Sequence, residues 1–153
     1  MAIREVIFRG KRTDNGKWEC GDLLSPNEFN AIPHIVYIDY LNEYGDIGEI
    51  STPVIPETVG QYTGLTDKNG VRIFEGDIVK GIAYSVERIG VIVWIDEIAS
   101  FGVRYFKSVN STAWENSSIL HCASMGKTDE FAAEIIGNIH DNPELLKVGD
   151  NNE

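Results

Sequence analysis

The side chains able to hold a metal or act as a nucleophile are few: His34, His121 and His140, with Cys20 and Cys122. Zinc ligands tend to come in pairs about two to four residues apart, and no pair here has that spacing. His121 and Cys122 are adjacent, and on a strand adjacent side chains point to opposite faces. They cannot then grip one ion, which leaves only a zinc site assembled from distant pieces. Cys20 lies in a strand-like run with nothing to mark its thiolate as stabilised, so no Cys–His nucleophile is assigned. No metal and no cofactor is expected.

Acids are the other source of chemistry. The chain has 24 of them, but no Asp-x-Asp or Glu-x-x-His constellation selects a catalytic pair. Asp67, Lys68, Asn69 and Gly70 have the composition of a ligand loop, and equally that of a tight turn. Asp77, after Gly76, reads either as a lone catalytic acid or as a carboxylate accepting backbone N–H bonds in a turn. The structural reading is preferred for both. The stretch 63–70 lacks the Gly-Lys-Ser/Thr ending of a phosphate loop. Asn110-Ser-Thr and Asn116-Ser-Ser match glycosylation acceptors, which carry meaning only in a secreted chain.

The net charge of −11 is uneven. Residues 1–20 hold five basic and three acidic side chains; residues 21–60 hold no Lys or Arg and seven acids. This balance opposes nucleic acid and anionic lipid as partners. A local basic patch of Arg4, Arg9, Lys11, Arg12 and Lys17 is the exception to examine. The acidic stretch is read as a solvated face, or as a patch aimed at a basic partner. Tyr37, Tyr40 and Tyr44 lie within it and read as packing residues or as an interface.

The elements that must position these residues are mostly strands. With 153 residues the chain is long enough to bury a core without a disulfide or metal. No apolar run approaches the roughly 20 residues needed to span a bilayer, and no apolar region resembles a secretory signal. A cytoplasmic location and reduced cysteines are expected.

Residues 4–9 and 17–23, joined at Asp14-Asn15-Gly16, predict an N-terminal hairpin. Residues 35–40 predict a strand. Residues 41–57 are acidic, show no period and are read as a long loop or weakly structured insertion. Residues 59–62 should be extended, with turns at 67–70 and 75–77 and a strand over 77–84. Residues 89–96 are apolar on both faces and predict a central strand with Trp94 in the core. Residues 101–107 should pair with it. Residues 114–121 are ambiguous, 128–133 suggest a turn, and 134–141 predict a further strand. Asn142-Pro143-Glu144 predicts a capped one-turn helix, and 148–153 a disordered tail.

Three segments carry a resemblance. Thr58-Val59-Gly60-Gln61-Tyr62-Thr63-Gly64-Leu65-Thr66-Asp67-Lys68-Asn69-Gly70, continuing through Ile73-Phe74-Glu75-Gly76-Asp77-Ile78-Val79, resembles the signature of the YopX-like proteins of bacteriophages and prophages. Glu134-Ile135-Ile136-Gly137-Asn138-Ile139-His140-Asp141-Asn142-Pro143-Glu144-Leu145 resembles that family's C-terminal motif. Phe8-Arg9, Gly16-Lys17-Trp18 and Gly21-Asp22 also fit. The resemblance implies a phage- or prophage-encoded protein in a bacterial cytoplasm that self-assembles. It supplies no chemistry. Separately, residues 75–80 are similar to the start of the first long strand in SH3-like barrels.

The expected fold is mainly β: a small SH3-like or related barrel over 59–147, behind an N-terminal hairpin and variable segment over 1–58, closed by a short C-terminal helix. The motif residues Gly60, Tyr62, Gly64, Asp67, Asn69, Gly70, Gly76, Asp77, Gly137 and Asn138 are expected to hold turns. The expected function is non-enzymatic binding or assembly with homo-oligomerisation, a host or phage protein being a candidate partner. Two alternatives stand: an acidic decoy for a basic host DNA-binding protein, and a small hydrolase acting on a nucleotide or sugar.

Overall fold

The computed structural model describes residues 3–83, 86–108, 111–118 and 133–147. The chain divides into two compact units, Met1–Tyr62 and Thr63–Glu153.

The first unit contains β1 (Phe8–Lys11), β2 (Trp18–Leu24), β3 (His34–Leu41), β4 (Ile47–Pro53) and the start of β5 (Gly60–Thr66). The strands are antiparallel in the order β4-β3-β2-β1-β5. The expected hairpin is β1–β2. Its turn needs the positive φ of Gly16, at 70°, and is tied by the Lys17 N–H donating to Asn15 Oδ1 at 2.9 Å. The first strand begins at Phe8, not at residue 4. β2 pairs with β1 up to Gly21 and with β3 from Asp22 onward. A Cβ on Gly21 would lie 2.3 Å from the Val36 carbonyl oxygen, so only glycine lets β3 approach. Ile35 and Val54 are fully buried, with Gly10 pressed against Val54.

Residues 41–57 are not the expected loop. β4 pairs with β3 from His34↔Pro53 to Leu41↔Ile47. The connecting turn uses Asn42, whose Oδ1 accepts from Tyr44 N–H at 3.0 Å and Asp46 N–H at 2.8 Å, and Gly45 at φ 85°. A 3-10 turn, Pro56–Thr58, follows.

The second unit continues along β5 and adds β6 (Arg72–Phe74), β7 (Asp77–Ala83), β8 (Val86–Ile95), β9 (Ser100–Ser108), β10 (Ser111–Ser118) and β11 (Glu134–Asn138). β7 to β11 form an antiparallel sheet in the order β10-β9-β8-β7-β11. As expected, β8 is interior. Ile73, Val79, Ile92, Phe101, Val103 and Ala133 make a buried cluster, with Leu65 and Ile135 packed against it. A fully buried side chain of this size contributes about 2–3 kcal/mol.

Trp94 is a correction: it is 44 % exposed. It faces the same way as Ile92 but stands two pairs nearer the strand end, opposite Phe101, whose ring it meets edge-on at 5.1 Å. Residues 114–118 belong to β10. The readings placed on residues 84, 119–122, 128–132 and 148–153, including His121 and Cys122, lie outside the described residues.

The sheet does not close into the expected barrel among the described residues. β10 and β11 end its order, and the outer edge of β11 is taken by the 67–70 turn instead of by a strand. The Lys68 N–H donates to Ala133 O at 3.0 Å, and the Ile135 N–H donates to Asp67 Oδ2 at 3.1 Å. The expected C-terminal helix is a single 3-10 turn, Pro143–Leu146. Asn142 precedes it without capping it, because its Oδ1 instead accepts from the Asn138 N–H at 3.3 Å.

Candidate functional site

Two places hold chemically capable side chains in order: the turns around β11, and the β3–β4 hairpin.

Asp67 is 2 % exposed. Its Oδ1 accepts from Asn69 N–H at 2.8 Å and Val71 N–H at 3.0 Å, and its Oδ2 from Ile135 N–H. Burial pushes its pKa up, but the backbone N–H groups of Val71, Ile135 and Asn69, with Lys68 nearby, outweigh this and hold it below the ordinary 3.8. The group is a charged staple: two bonds close its own turn, and the third binds a strand 68 residues away. Outside it, Lys68 Nζ meets Glu134 Oε2 at 2.5 Å. That pair, joined by Asn69, holds the Glu134 carboxyl below its ordinary value. Gly70 ends the turn at φ 78°.

At the other end of β11, Asp77 is 2 % exposed, and its Oδ2 accepts from the Phe74 N–H at 2.8 Å. Gly76, at φ 81°, donates its N–H to Ile92 O and accepts from the Ile139 N–H, both at 2.9 Å. Asp77 pairs with Asn138 across the strands. Asn138 Oδ1 accepts from His140 N–H and Asp141 N–H, both at 3.0 Å, and its Nδ2 donates to Asp141 Oδ2. Gly137 is obligatory in this arrangement, since a Cβ would meet Asn142 Oδ1 at 2.6 Å.

The structure therefore gathers Asp67, Asn69 and Gly70 at the start of β11, and Gly76, Asp77, Gly137 and Asn138 at its end. Gly64 lies on β5 at φ 88°. Gly60 and Tyr62 lie in the first unit, Gly60 opposite Arg9 and Tyr62 donating its N–H to Ile7 O. Among the described residues, no three His, Cys, Asp or Glu side chains gather as metal ligands. His34 shares a hydrogen bond with Ser51 Oγ at 2.8 Å, and Cys20 is exposed and forms no disulfide. The basic residues of the first hairpin do not form one free patch. Arg9 and Lys11 lie over the Trp18 ring, while Arg12 pairs with Asp14 and Glu19.

Sequence reasoning read Tyr37, Tyr40 and Tyr44 as packing residues or as an interface, and missed the hairpin that carries them. Its signal was present: Asn42…Gly45 is a turn signature between two apolar runs. A β-bulge falls between Ile38 and Tyr40. It turns the Tyr40 ring onto Gly48, where a Cβ would collide with it, and brings Leu41 to the face of Ile38. Ile38, Leu41 and Ile47 thus share the face that points away from buried Ile35 and Thr52. All three are exposed, Leu41 by 69 %, and Tyr44 at the turn is 83 % exposed.

Comparison with known proteins adds a family and a fold. A family model described as YopX protein matches residues 7–147. No curated protein matches the chain. Among solved structures, the chain is similar to protein EF1440 from Enterococcus faecalis, with 25 % identity and a TM-score of 0.56 over 94 % of this chain and 99 % of that one.

Proposed function

The chain belongs to the YopX protein family, and from that premise we propose that it is a non-enzymatic binding or assembly module that homo-oligomerises. Phage or prophage origin and action in the bacterial cytoplasm are part of the same proposal. One observation carries it: among the described residues, the sheet of the second unit ends in β10 with no strand on its outer side. Open strand edges offer unpaired backbone groups to a second chain, and self-association covers them. Among the described residues no helix is long and apolar enough to cross a membrane. The Gly76-Asp77 turn ahead of β7 supports a kinship with SH3-like folds, an analogy of fold alone.

The buried acids support the non-enzymatic reading over the hydrolase. General acid–base work needs a carboxylate that can reach a substrate proton, and Asp67 and Asp77 are turned onto backbone amides. The decoy reading asks for acids on one face. The seven acids of residues 21–60 are all exposed, but only Asp22 and Glu49 share the solvent face of the strands; Asp39 sits at the bulge, and Glu28, Glu43, Asp46 and Glu57 lie in connections. Sedimentation at tens of micromolar should show an oligomer. A strict monomer would remove the assembly half of the proposal.

A further inference from the structure

We infer that the β3–β4 hairpin is a docking surface for an extended, basic protein segment carrying apolar side chains, and that its occupant is a different protein from this one. The inference rests on the binding reading above and names the partner.

The apolar part of the surface is built. In an unbroken strand Ile38 and Tyr40 would share a face. The bulge instead aligns Ile38 with Leu41, opposite Ile47 on the neighbouring strand. Bulges that re-aim side chains are design features more often than defects. The outcome is a strip of Ile38, Leu41 and Ile47, extended at the turn by Tyr44, on a hairpin whose outer edge, among the described residues, is bonded to residues 11–13 where β4 ends and has no strand partner beside Ile47 and Glu49. Contiguous exposed apolar side chains with a polar rim mark interaction sites.

The rim selects the partner. Asp39, Glu43, Asp46 and Glu49 are exposed around the strip, and no Lys or Arg occurs anywhere from Trp18 to Asp67. Complementary charge favours a cationic partner and suppresses like-charged ones. A second copy would bring the same four acids, and nucleic acid or an anionic lipid surface would add negative charge to negative. The open edge of β4 specifies form as well. A segment added alongside β4 places alternate side chains on one face. Residues beside Ile47 and Glu49 would therefore be two apart, an apolar one and a Lys or Arg.

The test uses the full chain and three synthetic dodecapeptides with the two key residues two apart, repeating Leu-Ser-Lys-Ser (Leu-Lys), Ser-Ser-Lys-Ser (Ser-Lys) and Leu-Ser-Glu-Ser (Leu-Glu), with binding read by fluorescence anisotropy. Leu-Lys should bind at least about tenfold more tightly than either of the others, the gap expected for burying one large side chain. Its affinity should fall with added salt and fall about tenfold in Leu41→Ser. Glu43→Gln with Glu49→Gln should weaken it further, while circular dichroism shows both variants folded. Equal binding of Leu-Lys and Ser-Lys, or binding unchanged by Leu41→Ser, would overturn the docking surface in favour of bulk charge attraction. No binding to any peptide would also overturn it. Sedimentation without peptide separates the two proposals. If Leu41→Ser turns an oligomer into a monomer, the occupant is a second copy and this inference fails; if the wild-type chain is a monomer yet binds Leu-Lys, only the assembly proposal fails.

Discussion

The turns around β11 and the β3–β4 hairpin use the same residue type to opposite ends. At Asp67 and Asp77 a carboxylate is 2 % exposed and faces backbone N–H groups. At Glu43, Asp46 and Glu49 it is exposed at the margin of an apolar strip. The amino acid does not decide the role; the direction of nearby amides does. Where the chain bends sharply, N–H groups converge and a short acid becomes their acceptor. Where it runs straight into a hairpin, the amides are paired across strands and the acid is left to face solvent.

The sharpest break of this contrast is Asp67→Ala. It strands three N–H donors, one of them on β11, and should cost on the order of 4 kcal/mol in urea unfolding. A loss below about 1 kcal/mol would show that the turn does not hold the strand. Asp77→Ala should cost less, about 2–3 kcal/mol, because its Oδ2 serves the Phe74 N–H within its own turn.

Acid titration sharpens the comparison. The pKa of Asp67 is lowered in the folded chain, so its contribution is present above the unfolded value of about 3.9 and is lost as pH falls through the folded value. Wild-type stability should drop through that window. Asp67→Asn should be less stable at neutral pH and flatter on the acid side; an unchanged slope would mean that the acid limb belongs to other carboxylates. Smallest of all, Glu43→Gln should shift stability by no more than about 0.5 kcal/mol. A larger loss would mean that the hairpin acids also hold structure.

What could be read from the sequence divides along the same line. The turns at 67–70 and 75–77 were legible because Asn-Gly and Gly-Asp announce backbone conformations that few other residues adopt. Their strand neighbours followed from β-branched runs. The tie from Asp67 to Ile135 was not legible, because no local pattern encodes a bond across 68 residues. β4 was missed because a strand exposed on one side, with Gly48 and Glu49 in it, lacks a clean alternation. Trp94 was misplaced because alternation reveals which face a side chain takes but not where the core stops along the strand. The open sheet was hidden for the first of these reasons: the turn that occupies the edge of β11 comes from far away in the chain.

The cation-free stretch that frames the hairpin has a consequence for degradation. Proteases that cut after lysine or arginine find no cleavage point between Lys17 and Lys68, so this exposed apolar hairpin is invisible to trypsin even when unfolded. A glutamate-directed protease meets Glu43 at the exposed tip at once. Digestion with the two enzymes in parallel would therefore report the hairpin's occupancy: a bound partner should slow the glutamate cut and leave the tryptic pattern there unchanged.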